Sequence, residues 1–145
     1  MAEEVTGIRD KLIEVLGDSG LDADGAIAGS IDGSARAFVA QPPDLNSSVT
    51  MVRIVLETIA RRGAKALAAK RGAIPPEDSW GKALHFLRAQ GAIELPEEEV
   101  LVRVYTFTSP GAHVPKGISE EEWARLARTF AVSSSYFLLR RYLAA

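Results

Sequence analysis

VLVRVYTFT, the stretch Val100–Thr108, decides the fold class of this chain. Its β-branched and aromatic residues favour a strand by intrinsic propensity. Two features argue the other way. Pro96 followed by Glu97, Glu98 and Glu99 is the pattern of a helix first turn, where proline lacks only an N–H that would be orphaned anyway and acids complement the dipole. No second convincing strand exists elsewhere to pair with it, and a lone strand leaves its backbone donors and acceptors unmatched. The segment is therefore expected to be helical, and the chain an all-α compact bundle of about five or six helices.

Downstream, Ser119 and Glu122 stand three apart and form a capping box that opens the last helix. Trp123, Leu126, Phe130, Phe137 and Leu138 are its expected buried stripe, with the small residues Ala127, Ala131 and Ser134 alongside. Tyr136, Leu139 and Leu143 add a second apolar flank. A helix with two such flanks sits deep in the core or contributes to a dimer interface.

Upstream, the pattern gives four more helices. Val5, Ile8, Leu12 and Leu16 fall at helical spacing, with Gly17 as the expected stop. A second helix is expected over about Asp24–Ala40, presenting Ile27, Ile31, Ala35 and Phe38, with Gly25, Gly29 and Gly33 as a groove for close approach of a neighbour. After the break Gln41–Ser48, a helix over about Ser47–Lys70 is apolar nearly all round (Val49, Met51, Val52, Ile54, Val55, Leu56, Ile59), which marks the centre of the fold. Asp44, Asn46 or Ser47 caps it. A shorter helix over roughly Glu77–Gln90 turns Trp80, Ala83, Leu84 and Leu87 inward.

At 145 residues, 47% hydrophobic and 25% charged, the chain is long enough to bury a core without metals or disulfides. It has no cysteine, which excludes thiolate chemistry and Cys-ligated metals, and only two histidines, so no metal and no cofactor are expected. No apolar run approaches the roughly 18 residues of a membrane span. The start MAEEVTGIRDKL lacks signal-peptide character, so a cytoplasmic location is expected. A net charge of -2 rules out a chain-wide basic surface for nucleic acid, but not a local basic stripe.

Five cations form such a stripe: Arg61, Arg62, Lys65, Lys70 and Arg71, with no acid between them. They are the candidate phosphate-backbone contacts. The plainer alternative is a solvated helix end whose cations complement the C-terminal dipole, and the lack of interleaved aromatic residues favours it. Arg53 lies among Val52, Ile54 and Val55, and a charge there needs a partner if buried; Glu57, one turn on, is expected to form an ion pair with it. His85, between Leu84 and Phe86, reads as a partly buried core histidine. Arg125 and Arg128 read as solvated. His113, in the loop Pro-Gly-Ala-His-Val-Pro, is either a reachable general acid–base or a residue that locks the turn.

An Arg-x-x-Leu-Glu helix (Arg53 to Glu57), a short helix ending near Gly91, a helix leading into Gly-Ala-His (Gly111 to His113) and a long closing helix together resemble the HEPN superfamily. The likeness is to its abortive-infection C-terminal-like helical domains of prokaryotic defence and toxin systems. It covers roughly Leu45 to Leu143, which divides a single helical domain into an added N-terminal helical pair (residues 1–44) and a HEPN-like core. In active members of the family an arginine four to six residues before a histidine cleaves RNA across a symmetric dimer. His113 is the one residue that carries over: Ser109, Thr108 and Phe107 occupy the arginine positions, and Arg103 lies ten residues upstream. The resemblance thus implies a non-catalytic module that dimerises or binds a protein partner. The ranked alternatives are a metal-independent ribonuclease using His113 with Arg103 or a partner subunit's arginine, and a plain scaffold or adaptor domain. RNA stands behind protein as a partner, and no membrane is expected.

Overall fold

The computed structural model describes residues 2–109 and 114–145, with the side chains of the first six residues outside that description. The Val5 side chain and the whole of His113 therefore fall outside the description. The described residues form six helices: α1 (Ala2–Ser19), α2 (Ala26–Val39), α3 (Leu45–Arg71), α4 (Trp80–Ala89), α5 (Leu95–Phe107) and α6 (Glu120–Ala144). Val100–Phe107 is helical as expected, with Thr108 as the C-cap, and no strand occurs among the described residues. Glu94 and Glu97 cap α5 reciprocally, with Pro96 in the first turn. That start, together with packing of the segment on α4 and α6, outweighs strand propensity, which is a preference for a pleated surface this fold does not offer.

α3 is the central element, packed against α2, α4 and α6. Its Val52, Val55, Leu56, Ile59, Ala60, Ala64 and Leu67 are buried in one cluster with Leu12 and Leu16 of α1, Ile27 and Ile31 of α2, Leu84 and Leu87 of α4, Leu101 of α5 and Leu138 of α6. The N-terminal helical pair thus shares its core with the rest of the chain. Each fully buried Leu or Ile contributes about 1.5–3 kcal/mol of transfer free energy. A smaller cluster of Val49, Trp123, Ala124 and Ala127, backed by Phe107, Val114 and Ile118, closes the end of the bundle where the chain returns from α5 to α6.

The caps explain where the helices begin and end. Asp44 accepts from the Ser47 amide at 3.1 Å, and Gly72, at φ 65°, ends α3 in the left-handed conformation. α1 runs two residues past Gly17, because a glycine inside a helix costs at most about 1 kcal/mol whereas the next turn needs the positive φ of Gly20. In the turn before α2, Asp22 accepts from the amides of Ile27 (2.8 Å) and Ala28 (3.0 Å), standing in for the side chain that its capping residue Gly25 lacks. Of Gly25, Gly29 and Gly33, Gly33 alone sits under a neighbouring helix: a Cβ there would lie 2.9 Å from the sulfur of Met51. Beside it, Ser34 and Ser48 are fully buried and bond reciprocally, each hydroxyl donating to the other's carbonyl (2.6 and 2.7 Å), which fastens the close α2–α3 crossing.

α6 corrects the sequence expectation. Its buried stripe is Trp123, Ala124, Ala127, Ala131, Ser135 and Leu138, whereas Phe130 and Phe137 remain 42% and 38% exposed. Small residues at the centre let α6 approach α3 closely, as small side chains do at tight helix crossings. The stripe therefore follows the alanines and turns two phenylalanines outward. No helix among the described residues is long and apolar enough to cross a membrane.

Candidate functional site

The polar residues that α3, α4 and α5 bring together centre on Tyr105. Arg53 donates from Nη1 to the Tyr105 hydroxyl at 3.1 Å, and that hydroxyl donates to Glu57 Oε2 at 3.3 Å. Arg53 and Glu57 are thus joined through the phenol rather than by the direct ion pair expected from their spacing. A tyrosine 48 residues downstream of Glu57 leaves no local signal, so sequence reading missed it. The other Glu57 oxygen lies 3.5 Å from Arg61. Arg61 in turn holds Asp78 with both its Nε and Nη2 at 2.7 Å, a bidentate fork. Trp80 stacks on Tyr105 with ring centroids 4.6 Å apart and planes 17° from parallel, covering the network.

This arrangement fixes three helices and leaves little for chemistry. The phenol both accepts and donates, and Glu57 is committed to Tyr105 and Arg61. One atom is unmatched: the Arg53 Nε is buried with no hydrogen-bond partner among the described residues. A nucleophile activated by an adjacent base is not part of this cluster.

The basic run of α3 is drawn into the same kind of work. Arg62 donates to the carbonyl of Leu21 (2.9 Å) and to both Asp24 oxygens (3.0 Å each), clamping the turn before α2. Arg71 donates to the carbonyl and side chain of Gln90 at 2.6 and 3.2 Å, and Lys70 reaches the Ala145 carbonyl at 3.4 Å. Lys65 is exposed. Arg62 beside Asp24, and Arg61 beside Asp78, hold those two carboxyls below the usual carboxylate range. Arg61, Arg62 and Arg71 point along different seams of the bundle, not along one open groove.

Arg103 is exposed on α5, and His113 lies outside the described residues. His85 is exposed, not a core residue, with its Nδ1 3.0 Å from Arg88 Nη2. Among the described residues no group of three or more His, Asp or Glu side chains could hold a metal ion.

Phe137, which the sequence pattern puts in the buried stripe of α6, instead lies at the surface between α5 and α6. A groove of about 370 Å³ is lined by Pro96, Val100, Leu101, Ser133, Ser134 and Phe137, with Glu97 at one side. Val100 is 59% exposed beside it. Phe130 continues the apolar surface, tilted against Phe107 with centroids 5.5 Å apart. The α5–α6 contact behind the groove is pinned by Arg141 to Glu97 at 3.3 Å, and α5 is tied to α4 by Arg88 to Glu98 at 3.0 Å. Exposed Glu99 and Arg103, one turn apart on the outer crest of α5, have no ion-pair partner within 4.0 Å among the described residues. Comparison with protein-family models, curated proteins and solved structures found no match to this chain.

Proposed function

We propose that this chain is a HEPN-like interaction module of a prokaryotic defence or stress system, working as a homodimer through its α5–α6 face and cleaving no RNA. The observation that carries this proposal is the apolar surface of Val100, Phe130 and Phe137 around the groove, next to unpaired Glu99 and Arg103. A contiguous apolar patch rimmed by polar residues favours association. A second copy is the occupant that the charges fit. When α5 packs antiparallel on its symmetry mate, Glu99 of each copy faces Arg103 of the other, as an isologous contact requires. The same symmetry sets the protruding side chains of each copy over the groove of the other.

The test is light scattering on the purified chain, whose mass is 15.6 kDa, alongside incubation with labelled single-stranded RNA. A mass twice that of the chain and intact RNA are expected. A strict monomer that retains no partner, or cleavage lost on His113→Ala, overturns the proposal.

A further inference from the structure

The flank of α6 that packs toward α1 and α2 carries a different kind of unfinished surface. Arg128 is half-buried, where sequence reading had it solvated, and its Nε donates to Ser34 Oγ at 3.1 Å. Ser34 is itself fixed by its reciprocal bonds to Ser48 in the α2–α3 crossing, so the guanidinium is seated on rigid elements. Arg125 and Arg128 both lie over the Phe38 ring, their guanidinium carbons 5.0 and 4.8 Å from its centroid. Burial, then the nearby positive charges of Arg9 and Arg125, push the Arg128 guanidinium down from its ordinary value.

Among the described residues no carboxylate lies within 4.0 Å of Arg128. The acids beside its neighbours are peripheral: Glu121 is 3.6 Å from Arg125 and Asp10 is 3.8 Å from Arg9, and both acids are well exposed. A guanidinium withdrawn from water is normally matched by an anion, and like charges gathered around it raise the cost of leaving it unmatched. With Nε committed to Ser34, Arg128 still has both terminal nitrogens available for a fork-like contact.

We propose that Arg128 and Arg125 form a binding site for a phosphate group where α6 meets α2. A phosphate dianion supplies several strong acceptor oxygens to guanidinium donors, and the planar fork suits phosphate better than a point charge does. Arg125 and Arg128 share one ring instead of forming a stripe, which fits a single group and not a polymer backbone. With two guanidiniums over its face, the Phe38 ring is no platform for a stacked base. The site is separate from the α5–α6 face, because Phe130 packs on Phe107 of α5 whereas Arg128 packs on α2.

The experiment is NMR titration of the intact chain with inorganic phosphate and, separately, with adenosine monophosphate, at constant ionic strength, with chloride as the control. Saturable shifts centred on Ser34, Phe38, Arg125 and Arg128 are expected with phosphate. Arg128→Gln weakens binding at least about tenfold, as loss of a charge-assisted contact does, and Arg125→Gln weakens it several-fold. Arg125 is exposed, so that variant keeps the test open should Arg128→Gln fold poorly. Equal affinity for the two ligands assigns the site to free phosphate. Tighter adenosine monophosphate binding, lost in both variants, assigns it to a phosphate monoester. Absence of saturable binding, or binding that neither variant weakens, overturns the proposal.

Discussion

The C-terminal half of α3 and the α5–α6 face make opposite use of their surface residues. On α3, charges that look available in sequence are spent: Arg61 on Asp78, Arg62 on Asp24 and the Leu21 carbonyl, Arg71 on Gln90. On α5 and α6, Val100, Phe130, Phe137, Glu99 and Arg103 are left over. A dense basic run does not by itself mark a binding surface. What matters is which groups the fold leaves without intramolecular partners.

The largest effect is expected at the leftover surface. The proposed isologous contact would bury Val100 once from each copy, so Val100→Asp is expected to forfeit about 3 kcal/mol or more of apolar burial and to weaken dimerisation a hundredfold or more. Analytical ultracentrifugation reads that loss, and the melting temperature of the separated chain is expected to stay unchanged because Val100 is already 59% exposed within it. Arg62→Ala makes the converse point. It is expected to lower the melting temperature by about 2–4 °C while leaving the oligomeric state intact, since it removes surface pairs and one backbone clamp. A variant that loses the dimer without melting earlier would place Arg62 at the interface.

A smaller change probes the α5–α6 face. Glu99→Arg or Arg103→Glu alone puts like charges opposite each other and weakens dimerisation by about threefold to tenfold, and the combined swap restores it. The smallest effect is in acid. Asp24 and Asp78 have folded values below the ordinary carboxylate value of about 3.9, so the unfolded chain binds more protons as pH falls. The stability they contribute is complete above that value and is lost as pH drops through the lowered ones. The melting difference between wild type and an Arg61→Gln, Arg62→Gln double variant is therefore expected to be full near about pH 6 and to narrow toward about pH 3.

Much of the fold could be read before the structure because its signals are local. The Ser119–Glu122 capping box, the Pro96 first turn and the Asp44 cap each lie within a few residues of what they control. The apolar girth of α3 likewise gave away its central position. The site was less legible because its partners are distant in sequence. Tyr105 comes to Glu57 across 48 residues and Arg128 to Ser34 across 94, and neither approach leaves a spacing to find. The reversal on α6 has another cause: periodicity places Phe130 and the alanines on adjacent stripes, and the tight crossing with α3 decides which stripe goes in.

Disulfide trapping tests the antiparallel α5 contact most directly, because the chain has no cysteine of its own. Glu99→Cys and Arg103→Cys are prepared separately, mixed in equal amounts in dilute solution and mildly oxidised, with Lys65→Cys on the spent surface as the control. A covalent dimer is predicted from the mixture, well above the yield from either variant alone or from the control. A mixture that cross-links no better than Lys65→Cys would contradict the assignment of this face as the place where two copies meet.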